Sequence, residues 1–306
     1  MSRNRRKELR RRLICGITAG GVCLALLAAG RGNTAKGNQK QVESSAEINT
    51  AAASKSNIES KIGKVLASDI YGRQLGALYK KHPEVSEIIL NREKYPDFLI
   101  EYFIGHEEAL QWVIDYPVYM EKGTEAVNKT ALEPVDLLTY YIQKDIPIYY
   151  QWDQAWGYAT YGNGLVAIDG CGPTSLSMVV TALTGDTSMT PKRIADFSAA
   201  EGYYTEEVGT SWALMSEGAS KLGLRSYEPA WSEAAVRAEL AAGHPVICSM
   251  GPGDFTDQGH FIVLAGMTSD GSIVVNDPNS QVNTRKRWEL SKIMEQMKAM
   301  WAFSTP

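Results

Sequence analysis

The strongest constraint on the fold of this 306-residue chain lies near its C-terminal end. His260–Met267 and Ser272–Asn276 are apolar, β-prone runs separated by a turn built on Ser269-Asp270-Gly271. An Asp-Gly pair between two such runs favours a tight reversal, so these residues predict an antiparallel hairpin. Pro245–Met250 predicts a strand before it, and Trp301–Phe303 a final edge strand. Ile146–Tyr150 is a short β-prone run. Between it and the strands the periodicity is helical, over Gly172–Leu183, Pro191–Ala200, Trp212–Leu222 and Glu233–Ala242. Helices first and an antiparallel sheet after them specify an α+β fold for residues 146–306.

The same hairpin arranges chemistry. His260 follows Gly259 and opens the strand Phe261-Ile262-Val263-Leu264, where a rigid sheet presents a side chain at its edge. The second strand returns through Val275-Asn276-Asp277-Pro278, bringing Asn276 or Asp277 beside that imidazole. Adjacent strand residues face opposite sides, so one of the two addresses His260, and Asp277 is taken as that residue. A second constellation is Asp169-Gly170-Cys171-Gly172-Pro173-Thr174-Ser175-Leu176, a cysteine between two glycines at the start of an amphipathic helix. Proline suits the first helical turn, and the partial positive charge of a helix N-terminus stabilises a thiolate. A thiolate nucleophile wants a histidine base, and that base wants a third group to fix its tautomer. The other three histidines, His82, His106 and His244, sit in loop or turn contexts, which leaves His260. For an oxyanion the candidate donors are the Cys171 N–H and a side-chain amide from Gln151 or Gln154.

The net charge of −4 hides an asymmetry: seven basic residues against Glu8 give the first twelve residues +6, leaving −10 for the other 294. An acidic body argues against nucleic acid as partner. Leu13–Ala29 follows as 17 residues without charge, the pattern of a segment that sends the chain across a membrane. Residues 1–30 are thus expected to be a signal peptide cut near Ala28-Ala29-Gly30 or an N-terminal anchor contacting the membrane. Either way residues 31–306 are expected outside the cytoplasm, secreted or anchored. Val22 before Cys23 argues against lipid attachment there. Residues 31–57 have the composition of a flexible linker. Residues 58–145 predict a small all-helical region, a pro-segment or lid, with breaks at His82-Pro83 and Tyr116-Pro117 and no catalytic constellation of its own. Four cysteines without a C-x-x-C pair exclude a disulfide framework and a zinc ribbon. Cys171 and His260 lack a third metal ligand, so no metal or cofactor is implied, and Cys248 in Val246-Ile247-Cys248-Ser249-Met250 reads as strand packing.

Gln151-x-Asp153-x-x-Trp156, Gly170-Cys171-Gly172-Pro173-Thr174, Gly209-Thr210-Ser211-Trp212, Pro252-Gly253-Asp254-Phe255-Thr256, Gly259-His260-Phe261 and Val275-Asn276-Asp277-Pro278-Asn279-Ser280 together resemble a papain-like cysteine peptidase. Similarity is strongest to the family that includes the bacteriocin-leader (double-glycine) peptidases, in its stand-alone, exported, Gram-positive branch, and it covers about residues 146–303. The resemblance implies a papain-like fold with Gln151 in the oxyanion hole, Cys171 as nucleophile, His260 as general base and Asp277 as orienting acid. Trp156 and Trp212 flank motif segments and are candidates to wall the substrate cleft, the core being the other reading for both. Gly172 and Gly259 complete the candidate substrate-contacting set. One departure is the spacing: 20 residues separate Gln151 from Cys171, against a few in transporter-fused members, so leader specificity is not carried over.

The expectation is a cysteine peptidase acting on a peptide or protein substrate. The same triad with an amine acceptor gives a transpeptidase. Two further readings are a cell-wall peptide amidase on that triad and a non-catalytic surface binding module.

Overall fold

A computed structural model describes residues 54–123, 142–143, 145–206 and 209–306. The chain divides into two compact units, Met1–Asn57 and Ile58–Pro306. Of the first, residues 54–57 are described, and they are helical. The basic run, the apolar segment 13–29 and most of the expected linker lie outside the described residues, as do 124–141. Among the described residues no helix is long and apolar enough to cross a membrane.

The second unit opens with helices. Residues 58–68 are helical, followed by α1 (Gly72–Lys81), α2 (Ser86–Leu90), α3 (Asp97–Gly105) and α4 (Leu110–Lys122). Pro83 starts a 3-10 turn that leads into α2, as a proline in a first turn should. The sequence predicts that the last helix stops at Asp115-Tyr116-Pro117, yet α4 runs through Pro117. The proline removes one N–H from the helical ladder. Burial of Trp112, Val113 and Tyr116 holds the helix together past it. These three pack with Leu75, Ile88, Leu99 and Phe103 in one core, which Tyr158 and Ala167 also enter, with Trp152, Leu165 and Ile168 against it. Trp112 stacks on Tyr158 with centroids 5.2 Å apart. A Cβ at Gly157 would lie 2.9 Å from both the Trp112 Nε1 and the Asp153 carbonyl, so this approach requires glycine. The helical region and the segment leading to Cys171 share a core.

The rest of the unit is built around a six-stranded antiparallel sheet. Its strands are β1 (Arg225–Tyr227), β2 (Val246–Met250), β3 (His260–Met267), β4 (Ile273–Asn276), β5 (Arg287–Trp288) and β6 (Met297–Ser304), in the order β5-β4-β3-β2-β6-β1. Side chains alternate between two cores. Ile247, Phe261, Val263, Val274, Trp301 and Phe303 face helices α5 (Cys171–Thr184) and α6 (Pro191–Ala200). Val246, Cys248, Ile262, Leu264, Val275 and Met300 face α7 (Glu233–Ala241). Burial on both faces explains why these strands read as continuous apolar runs. The final strand is not at an edge: β1 pairs along its outer side, Tyr227 opposite Ala302. Trp212–Leu222, expected as a plain helix, contains a widened π turn over Leu214–Gly218 before Ala219–Lys221.

Candidate active site

Cys171 is the first residue of α5, preceded by Gly170, and is partly exposed. Every residue from Gly172 to Thr181 is buried. The helix therefore threads the core behind a first residue that stays partly exposed. Ser175 donates to the Phe261 carbonyl at 3.2 Å, tying α5 to β3 one residue from His260.

His260 opens β3 and is 6% exposed. Its Nε2 lies 2.7 Å from Asp277 Oδ1, and the Cys171 side chain is near enough to act on the same imidazole. Burial alone would push the imidazolium down. The charge and hydrogen bond of Asp277, with the contribution of Cys171, outweigh it and raise the value to about 10. Asp277 is buried and accepts two further bonds, from Asn279 N at 2.9 Å and Asn283 Nδ2 at 2.9 Å. A register shift between Val274 and Val275 sets Asn276 opposite Val263. The Asn276 side chain turns to the Pro147 carbonyl at 3.2 Å. Asp277, not Asn276, therefore addresses the imidazole.

Gln151 is buried beside this arrangement, its backbone N–H donating to the Pro278 carbonyl at 2.8 Å. Its Nε2 donates to Ala167 O at 2.8 Å and Ile168 O at 3.2 Å, while Oε1 has no hydrogen-bond partner. In this arrangement both N–H bonds point at carbonyls. Gln154, the other candidate amide, donates instead to Asp115 in the helical region.

The substrate-contacting candidates divide. Trp156 is 2% exposed, with Nε1 donating to Tyr150 O at 2.7 Å, so it belongs to the core and walls no cleft. Gly172 is buried too. Its missing Cβ would lie 2.6 Å from Thr210 Cγ2, so the glycine accommodates Thr210 rather than a ligand. Trp212 is 48% exposed, braced by a 3.1 Å bond to Ser249 Oγ and edge-on to Trp301. Gly259 is exposed with open space around it. Trp212 and Gly259 are thus reachable by a ligand.

Two residues from the helical region stand close to the site without any sequence signal. The Tyr102 hydroxyl donates to Asn279 Oδ1 at 2.9 Å, and burial, with the charges of Asp277 and Cys171, raises its pKa well above the usual phenol value. His106 stacks on Tyr102 at 4.5 Å, and burial lowers its pKa, assisted by His260. Cys248 is a free, buried thiol in β2 that burial pushes up. Among the described residues no group of three or more His, Cys, Asp or Glu could hold a metal ion.

A core helix that opens on a cysteine, packed on an antiparallel sheet that carries a histidine paired to a buried aspartate, is the papain-like peptidase fold. Residues 143–305 match the model of the Peptidase_C39 like family, more than half of the chain, and the protein belongs to that family. Among solved structures, a chain from Bacillus anthracis assigned as a C39-like peptidase is similar at 15% identity over 54% of this chain and 97% of its own, with a TM-score of 0.33. At that level the likeness adds no weight to the family match. None of the curated proteins compared matches the chain.

Proposed function

We propose that the protein is an exported cysteine peptidase that hydrolyses peptide bonds through Cys171, His260 and Asp277. The observation that carries this reading is His260, buried between the cysteine and a carboxylate at 2.7 Å. An imidazolium held there keeps a thiolate beside it at the N-terminus of α5, where the helix dipole favours negative charge. The thiolate attacks the substrate carbonyl. The Cys171 N–H receives the oxyanion, joined by the Gln151 N–H that now makes the longer contact to Ile168 O. His260 then protonates the leaving amine, and water hydrolyses the thioester with His260 as base. Trp212 and Gly259 border the path by which a peptide reaches the sulfur. The basic run followed by Leu13–Ala29 supports export, with the segment cleaved or kept as an anchor.

The test is cleavage of a mixed quenched-fluorescent peptide library by the protein and by its Cys171→Ala and His260→Ala variants. Cleavage by the wild type that both substitutions abolish supports the reading. Cleavage that survives Cys171→Ala overturns it.

A further inference from the structure

We infer that Glu108 and Tyr102, both from the helical region, are positioning residues for the Asp277–His260 pair. The inference rests on the triad reading above and extends it to a part of the chain that carries no expected catalytic role.

Asp277 owes its orientation to the loop that follows it. Its two carboxylate oxygens accept from Asn279 N and Asn283 Nδ2 at 2.9 Å each, and its own N–H donates to Thr284 Oγ1 at 3.0 Å. The carboxylate is therefore only as fixed as residues 279–284. That stretch is exposed in part, and Val282 is 64% accessible. Trp288 Nε1 donates to Asn283 O at 3.0 Å, and most of the other bonds that hold the stretch come from 172 to 177 positions earlier in the chain. Glu108 Oε1 accepts from Ser280 Oγ at 2.8 Å and from Val282 N at 3.4 Å, and Oε2 accepts from Gln281 N at 2.7 Å. Two of these donors are N–H groups at the start of the short helix Gln281–Arg285, which have no partner within the helix itself. One carboxylate thus satisfies three groups of the loop, through charge-assisted bonds. Tyr102 adds its 2.9 Å bond to Asn279 Oδ1, and Trp152 Nε1 lies 3.4 Å from Asn279 O. Asn279 is the residue whose N–H reaches Asp277. Tyr102 and Glu108 are in turn fixed by the helical core: Tyr102 packs edge-on to Trp112 at 5.8 Å, and Ala109, next to Glu108, is 1% exposed. The helical region then works as part of the catalytic centre, setting the carboxylate that sets the imidazole.

The experiment is the alkylation rate of Cys171 by iodoacetamide in the full-length chain, read on the Cys171 peptide by mass spectrometry. It compares wild type with Glu108→Ala, Glu108→Gln, Tyr102→Phe and Asp277→Ala, and uses Lys192→Ala as a surface control. At about pH 6 the reaction depends on the imidazolium beside the thiol, whereas at about pH 9.5 a thiol ionises unaided. Glu108→Ala should slow the reaction at the lower pH by about tenfold and Tyr102→Phe by about threefold, with Glu108→Gln between wild type and Glu108→Ala because it keeps one acceptor oxygen. All rates should converge at the higher pH, which general loosening of the fold would not produce. If Asp277→Ala slows labelling while the Glu108 and Tyr102 variants stay within twofold of wild type, the inference is wrong and the triad stands. If Asp277→Ala is also without effect, the triad reading fails and the inference falls with it. Should Glu108→Ala not fold, Glu108→Gln and Tyr102→Phe decide on the same criteria.

Discussion

Replacing Trp112 with alanine should destabilise the helical region and the candidate active site together. The indole is 1% exposed and meets Tyr158 at 5.2 Å, Tyr102 at 5.8 Å and Tyr116 at 6.4 Å, with Gly157 pressed against its Nε1. Truncating a buried tryptophan costs about 3–5 kcal/mol. The upper half of that range applies here, because three aromatic neighbours each lose a ring contact worth about 0.5–1.5 kcal/mol. A domain whose total stability is about 5–15 kcal/mol would lose about a quarter of it or more. The assay is urea unfolding of wild type and Trp112→Ala, followed by far-ultraviolet circular dichroism and by the exposure of Cys248 to alkylation. Because Trp112, Tyr158 and Ala167 lie in one core, both signals should move to lower urea in step. A loss below about 1 kcal/mol would refute the packing argument. So would a variant in which the helical signal melts early while Cys248 stays protected at the wild-type midpoint, since the two parts would then fold independently.

The remaining expectations concern the site. Gly172→Ala places a methyl 2.6 Å from Thr210 Cγ2 and should cost about 1–3 kcal/mol in chemical denaturation. Thr210→Ala removes two of the three clashing atoms but leaves Thr210 Cβ at 2.9 Å and breaks the Tyr161 bond. The double variant should therefore lose less than the two single losses added together, and a Gly172→Ala variant as stable as wild type would contradict the contact. Asp277→Asn keeps the shape but removes the charge facing His260, so the imidazole titration seen by nuclear magnetic resonance should fall from about 10 toward the ordinary value of about 6.5. An unchanged titration would show that Asp277 does not hold the proton there. The raised value also makes stability depend on pH. His260 contributes fully below its unfolded value of about 6.5, and the contribution is lost as pH rises through its folded value of about 10. The urea midpoint of wild type should therefore decline between about pH 7 and pH 9.5, and the decline should be shallower in His260→Gln. Equal slopes in the two proteins would remove His260 as the cause.

Where the chain's own periodicity decides structure, the sequence and the molecule agree. The hairpin of β3 and β4 and the helix opening on Cys171 follow from local pattern and turn chemistry, which bring Asn276 or Asp277 toward His260. The register shift at Val274/Val275 and the Asn276 bond to Pro147 O decide for Asp277. Arg225-Ser226-Tyr227 has no apolar alternation, so β1 is invisible in the sequence and β6 reads as an edge. Pro117 reads as a helix stop because the proline rule is local, while the burial that overrides it is tertiary. Trp156 and Trp212 have equal standing as neighbours of motifs, and only packing separates the buried ring from the exposed one. The turn after Asp277 is legible, since an Asp-Pro-Asn-Ser stretch suits a side chain accepting from the N–H two residues on, as Asp277 does from Asn279. That Tyr102 and Glu108 hold this turn is not legible, because nothing local announces a contact across more than 170 residues.

The proposed function requires that His260 activate Cys171. Its most direct test is the rate of Cys171 alkylation by iodoacetamide as a function of pH, in the wild type and in His260→Ala. An ion pair predicts fast labelling of the wild type at about pH 5–6 that disappears in the variant, where labelling should rise only near the ordinary thiol range of about 8.5. Labelling that rises only above about pH 8 in both proteins would mean an unactivated cysteine, and the peptidase mechanism would have to be abandoned.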